Sequence, residues 1–292
     1  MIVEQVGDKV FVQAPAKLNL YLEVLGKRPD GYHEIESLMV AIDLRDSLVF
    51  TDDPSGNLAL SCDDPALPTD ATNLVMKAAA RLRQVSGTRN GARIELSKRI
   101  PARAGLGGGS SDAAATLVGL NRLWNLNQSS RQLDAIAATL GSDVPFFLGD
   151  RAAVCRGRGE RVEPVSIAQS LHFVLICPEV GVPTSDAYAR VVVPGSPNSI
   201  SSCLEAFCEA DTSRLGPALF NRLQSVAEAL APDLVQVRDT LKTLGPLLDG
   251  HLMSGSGSAY FGLCRDKPSA LAAAQQLETL GQGRVRVVTC GP

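Results

Sequence analysis

Hydrophobic and polar positions divide the chain into a strand-rich opening followed by mixed segments. Val10 to Gln13 and Leu18 to Leu25 are rich in Val and Leu and read as strands, as do Glu34 to Leu44 and Asp46 to Thr51. The period then changes. In "TNLVMKAAARLRQVSG" the apolar positions Leu74, Val75, Ala78, Ala79 and Leu82 recur at helical spacing, with Thr72 expected as N-cap and Gly87 as stop. "ARIELSKRIP" alternates at Ile94 and Leu96 and closes at Pro101, which predicts a strand. Ala114, Leu117, Leu120, Leu123 and Trp124 predict a second helix, and "SSRQLDAIAATLGSD" a third, capped by Ser129 or Ser130 and ended by Gly141.

Further on, "LHFVLICPE" reads as a buried strand and "VVVPGSPNSISS" as a surface loop. The last third predicts helices at Ser225 to Leu230, Leu234 to Leu244 and Ser269 to Leu280. Strands are expected at Gly250 to Met253, Ala259 to Cys264 and Val285 to Val288. Strands and helices mix without strict βαβ alternation, so the expected class is α+β. At 292 residues two domains are expected, with a boundary near residue 165.

Composition narrows the function classes. A 45% apolar, 20% charged chain is a folded globular protein, and a net charge of -3 supplies no basic field for nucleic acid. Seven cysteines without a C-x-x-C pair predict neither a disulfide framework nor a zinc site, and point to a reducing cytoplasm. No apolar run reaches the ~18 residues of a membrane span, and the first residues do not form a secretory leader. No membrane partner is expected.

The chemistry concentrates in "PARAGLGGGSSDAAATL", Pro101 to Leu117, where Gly105, Gly107, Gly108 and Gly109 surround Leu106 directly before a helix. Glycines let backbone N–H groups turn toward a ligand, and a helix N-terminus adds unpaired donors and partial positive charge. Ser110 and Ser111 place hydroxyls at the same point. A tight turn without ligand would need fewer glycines, so a phosphate cradle is expected. No lysine follows Gly109 as a Walker A loop requires, Ser110 stands where a dinucleotide fingerprint needs glycine, and H-R-D and D-F-G are absent.

This loop resembles the signature of the GHMP superfamily of small-molecule kinases, which includes galactokinase, homoserine kinase and mevalonate kinase. Within it the chain is most similar to the branch acting on 4-diphosphocytidyl-2-C-methyl-D-erythritol, through "APAKLNLYLEVLGKRPDGYHEIESLM", "LGSDVPFFL" and "MSGSGSAYF". The resemblance implies a two-domain α+β fold: an ATP-binding domain over 1–165 and a ferredoxin-like substrate-binding domain over 166–292, with the two ligands meeting between them. It implies transfer of the ATP γ-phosphoryl group to the substrate 2-hydroxyl.

Residue by residue, the resemblance makes Asp143 the general base, at a position where an anonymous Asp would be an N-cap. It makes Lys17, otherwise an exposed strand lysine, the cation that keeps Asp143 ionised. Asn19 lies on the same strand face as Lys17 and suits a substrate hydrogen bond. Tyr32 and His33, beside a turn, match positions that hold cytosine, with Thr184 and Tyr188 on a second aromatic face. Gly255 and Gly257 match a third motif shaping the site, and Asn73 and Lys98 match positions near adenine. Pro101, Gly105, Leu106, Gly107, Gly108, Gly109, Ser110 and Ser111 form the ATP loop. Mg²⁺ is expected with the ATP, without assigned protein ligands. A monomer or weak homodimer is expected. Where many relatives read N-D-L-E, this chain reads "NRLQ", Asn221 to Gln224. The competing readings are a kinase of homoserine or mevalonate, and a nucleotide sensor without catalysis.

Overall fold

In the computed structural model, which describes residues 1–281 and 283–291, the chain divides into two units, neither of them a single run of sequence. The first comprises 1–16, 44–100 and 107–150; the second comprises 17–43, 101–106 and 151–292. Two long strands, β2 (Lys9–Lys27) and β3 (His33–Asp53), each belong to both. The paired strand segments expected from sequence are therefore continuous. In β2 burial alternates at Val10 and Val12 and then becomes unbroken from Ala14, as for a strand that passes from one covered face to two.

In the first unit, β1 (Ile2–Val6) pairs antiparallel with the start of β2. The end of β3 pairs antiparallel with β5 (Gly91–Ser97), which pairs parallel with β4 (Leu58–Cys62). Helices α1 (Leu74–Ser86), α2 (Gly108–Leu123) and α3 (Ser130–Leu140) pack on one another. α1 buries Val75, Ala78, Ala79 and Leu82, the stripe that its spacing predicts. Its cap differs from expectation: Asn73, not Thr72, accepts from the Val75 N–H. Thr72 lies one residue too early, and its hydroxyl and N–H bond Asp70. Gly87 ends the helix in the left-handed region. α3 starts with a reciprocal capping box between Ser129 and Gln132.

In the second unit, β6 (Ala152–Gly157) pairs with β3 and with β7 (Arg161–Pro164). A four-stranded antiparallel sheet holds β10 (Gly250–Met253), β11 (Tyr260–Cys264), β8 (Leu171–Cys177) and β12 (Arg284–Cys290), in that order. Between β8 and β10 run α4 (Thr184–Arg190), α5 (Ser201–Glu209), α6 (Thr212–Ala218), the two-residue β9 (Phe220–Asn221), α7 (Gln224–Leu230) and α8 (Asp233–Thr243). α9 (Lys267–Leu280) follows β11 and packs on β8, β11 and β12. Taken in chain order, the sheet's fourth, first, third and second strands are neighbours, the arrangement of a split βαβ, ferredoxin-like layer. Its core joins Leu22, Ile35, Val174, Leu234, Tyr260 and Leu277.

The "VVVPGSPNSISS" stretch is irregular up to Ser201, as expected, yet it is pinned at one point. The Tyr21 hydroxyl donates to the Asn198 carbonyl at 2.8 Å, and the Asn198 N–H donates to the buried Glu23 carboxylate at 3.0 Å.

Candidate active site

The glycine loop belongs to both units, and each part is held by its own neighbours. In the second unit, the Ser254 hydroxyl donates to the Gly105 carbonyl at 3.0 Å, and the Ala259 N–H donates to the Ala104 carbonyl at 3.0 Å. Gly105 has φ +74°, and a Cβ there would lie 2.1 Å from the Ser254 carbonyl oxygen, so only glycine fits. Leu106 is buried, and its carbonyl accepts from the Lys17 N–H at 3.0 Å.

In the first unit, Gly107 is the N-cap of α2 at φ 71°, and no side chain caps that end. The first intrahelical bond runs from the Ser111 N–H to the Gly107 carbonyl, 2.9 Å. The N–H groups of Gly108, Gly109 and Ser110 precede it and form the positive end of the helix. A Cβ on Gly109 would sit 3.6 Å from Leu74, and one on Gly141 4.0 Å from the Ser110 hydroxyl. Hence the starts of α1 and α2 and the turn carrying Asp143 converge. Asp143 is half-buried in that turn, one residue ahead of Val144, the N-cap of a 3₁₀ segment, Pro145–Leu148.

Beneath the α2 start lies a charge cluster that sequence reading missed. Lys98 donates to Asp46 and, at 2.8 Å, to Asp112, and all three side chains are buried. Asp46 also accepts the N–H groups of Arg99 (2.6 Å) and Ile100 (2.9 Å). Burial, with Asp46 nearby, pushes the Asp112 carboxyl up to about 7 against the pull of Lys98. Burial opposes the Lys98 charge too, but Asp112 and Asp46 together hold its pKa above the ordinary lysine value. The visible signal was Asp112 itself, a lone acid heading an alanine run. Asn73 and Lys98, expected near adenine, thus have structural partners: the Asn73 amide also donates to the Pro68 carbonyl at 2.7 Å.

Lys17 is buried rather than an exposed strand lysine, and its ammonium donates to Asn19 Oδ1. The Asn19 amide nitrogen donates to Ser37 at 2.8 Å, whose hydroxyl donates to the Tyr21 carbonyl at 2.6 Å. Asn19 therefore orients Lys17. A Cβ on Gly255 would meet Lys17 Nζ and the Gly105 carbonyl at 3.0 Å and Asn19 Oδ1 at 3.3 Å, which brings the "MSGSGS" turn onto Lys17.

The "GKRPDGYHE" turn is braced by Arg28, which bonds Asp30 and Glu34, and by the Arg28 N–H to Tyr32 carbonyl bond of 2.8 Å. It presents an exposed Tyr32 with the Arg158 guanidinium 5.0 Å from its ring centre. The His33 ring lies 5.4 Å from that of Tyr188, tilted 32°. Burial first, then Lys27, lowers the His33 pKa, favouring the neutral imidazole. Thr184, at the first position of α4, shares a 2.8 Å hydrogen bond with Ser256. Among the second-unit residues expected from sequence, Lys17, Asn19, Thr184, Gly255 and Gly257 gather on the glycine turn, and His33 meets Tyr188.

Models of the GHMP kinases N terminal domain and of the GHMP kinases C terminal match residues 73–151 and 203–282. A 4-diphosphocytidyl-2-C-methyl-D-erythritol kinase of Prochlorococcus marinus (strain MIT 9303) is 46% identical over 286 residues, covering 91% of this chain and 88% of the relative. The chain belongs to the 4-diphosphocytidyl-2-C-methyl-D-erythritol kinase family. A crystal structure of such a kinase superposes on this member at a TM-score of 0.81, with 39% identity, over 97% of this chain and 99% of that one. A homoserine kinase of Cytophaga hutchinsonii superposes at 0.77 over 100% and 98%, with 22% identity, and shares the fold. This member of the family is thus an ATP-dependent kinase with the two-domain α+β GHMP fold. No helix among its described residues is long and apolar enough to cross a membrane.

Proposed function

We propose that the protein transfers the γ-phosphoryl group of ATP to the 2-hydroxyl of 4-diphosphocytidyl-2-C-methyl-D-erythritol in non-mevalonate isoprenoid synthesis. The observation that carries this reading is the start of α2, where Gly107 leaves three N–H groups ahead of the first helical bond without a side-chain cap. Such an end binds phosphate. Relatives of 46% identity bearing this kinase's name support the substrate.

In this reading Pro101, Gly105 and Leu106 shape the loop, Gly107 to Ser110 give backbone donors to the phosphates, and Asn73 and Lys98 border the adenine. Asp143 accepts the proton of the substrate hydroxyl, and Lys17, oriented by Asn19, polarises that hydroxyl and favours the ionised base. His33 and Tyr188 take the cytosine between polar and aromatic surfaces, with Tyr32, Thr184, Gly255 and Gly257 around the substrate.

Two buried oxygens at the α2 start, Ser111 Oγ and Asp112 Oδ1, have no hydrogen-bond partner. Hard oxygens of this kind suit Mg²⁺, which binds through few protein ligands plus phosphates and water. When bound, Mg²⁺ would neutralise phosphate charge. We further assign the protein to the cytoplasm, as a monomer or weak homodimer without nucleic-acid partners.

ADP release is measured with Mg-ATP and the diphosphocytidyl substrate, beside mevalonate and homoserine. Turnover with the cytidine substrate alone is expected; turnover only with a control overturns the substrate. Asp143→Asn is expected to lower kcat by roughly 10²-fold or more with ATP binding retained. An unchanged kcat removes Asp143 from the mechanism.

A further inference from the structure

The stretch Asn221 to Gln224 touches the glycine turn and the Lys17-bearing strand at once. Asn221 is buried, and its amide nitrogen donates to the Met253 carbonyl and to the Gly255 carbonyl, each at 2.8 Å. Its oxygen accepts from the Leu223 N–H at 2.9 Å. All the polar capacity of that amide nitrogen is therefore spent on two carbonyls flanking Ser254. Gln224 Oε1 accepts the Met253 N–H at 3.1 Å. On the other side, β9 pairs parallel with Tyr21 and Leu22 of β2, and the Arg222 N–H donates to the Leu22 carbonyl at 2.8 Å. The Arg222 guanidinium makes two 2.7 Å bonds to the fully buried Glu23 carboxylate. An arginine in the second place of this stretch thus has its counter-charge on β2, four and six residues beyond Asn19 and Lys17 along the same strand.

The stretch acts as a bracket with one arm on β2 and one on the turn. What it brackets is the contact at Gly255, where the backbone lies against Lys17 Nζ, Asn19 Oδ1 and the Gly105 carbonyl too closely for a Cβ. Ser254, between the two carbonyls held by Asn221, accepts the Asn19 N–H at 3.3 Å and donates to Gly105. We propose that Asn221 is a positioning residue for phosphoryl transfer: by holding the Met253 and Gly255 carbonyls it sets the glycine turn against Lys17 and so fixes the ammonium at the reacting hydroxyl. The proposal rests on the catalytic role given to Lys17 above. Asn221 itself need touch neither substrate. A displacement of about 1 Å at a reacting group costs rate far more than it costs binding.

The test compares Asn221→Ala with wild type for kcat, ATP dissociation constant and thermal midpoint. A control, Phe207→Leu in the buried face of α5, is chosen as a destabilised variant of the same unit. Asn221→Ala is expected to lower kcat by about tenfold or more with the ATP constant within about twofold, while the control at an equal or larger fall in midpoint keeps kcat within about twofold. If Asn221→Ala does not fold, Gln224→Ala, which loses only the Met253 N–H bond on that turn, is expected to give the same split with a smaller loss. A kcat of the variant no lower than that of the control overturns the proposal. Absence of turnover in the wild type itself would instead overturn the phosphoryl-transfer reading, so the two failures are distinguishable.

Discussion

Replacing Asp112 by Asn should change how stability depends on pH, and the burial of its carboxyl sets the sign. The folded carboxyl is pushed up to about 7, chiefly by burial, while an unfolded aspartate releases its proton near 4. Between those values the folded chain holds a proton that the unfolded chain has lost, so wild-type stability falls as pH rises and levels off above about 7. A carboxyl raised to that extent makes the pH-dependent part a few kcal/mol, most of it falling between about pH 5 and about pH 8. An amide does not titrate. The Asp112→Asn variant should therefore gain on the order of 2 kcal/mol relative to wild type on going from about pH 5 to about pH 8, and comparison of the two values cancels any fixed offset. The assay is urea unfolding followed by Trp124, the single tryptophan, which is buried in the same unit and donates to the Gly91 carbonyl at 2.9 Å. A difference between the proteins that stays constant within about 0.5 kcal/mol across that range would refute the reasoning.

Gly105→Ala should lose about 2 kcal/mol or more and shift the thermal midpoint down, because the Cβ meets the Ser254 carbonyl in a left-handed backbone; an unaltered midpoint would contradict the contact. Tyr188→Ala should raise KM for the cytidine substrate by about two- to tenfold and leave that for ATP alone, in line with roughly 0.5–1.5 kcal/mol for an aromatic pair. An equal rise for ATP would move Tyr188 out of the cytosine surface.

Local patterns made much of this fold legible. The stripe on α1, the alternation in β5, the Ser129 cap and the Gly87 stop depend on neighbours within one or two turns of chain, and these are written in short windows. Pairings across long stretches of chain are not. Asp46 binds Lys98 from 52 residues away, and Glu23 binds Arg222 from 199, so neither acid carried a local sign of its partner. Thr72 and Asn73 are both good caps, and because the helix starts at Leu74 it is Asn73 that caps it while Thr72 bonds Asp70. The candidate site was legible at its glycines, since glycine meets the left-handed φ of Gly105 and Gly107 without steric cost. Burial of Lys17 was not, because alternation places a residue on a face without saying what covers it. A cut near residue 165 likewise follows chain order, whereas the second compact unit takes stretches from both sides of it and the first ends at residue 150.

The anchoring of Asn198 to Tyr21 and Glu23 divides the connection between α4 and α5 into two lengths of chain with different freedom. From Val191 to Pro197 the backbone runs outside regular structure, with Val192 80% exposed, whereas Asn198 is fastened through both its N–H and its carbonyl. Extra residues grafted between Pro194 and Ser196 would loop into solvent and leave that fastening in place, making this a port for a fluorophore, an affinity tag or a tether. The same graft placed after Asn198 would have to lift Ile200 from its burial before α5 begins, so the two ends of one loop are unequal as sites for engineering.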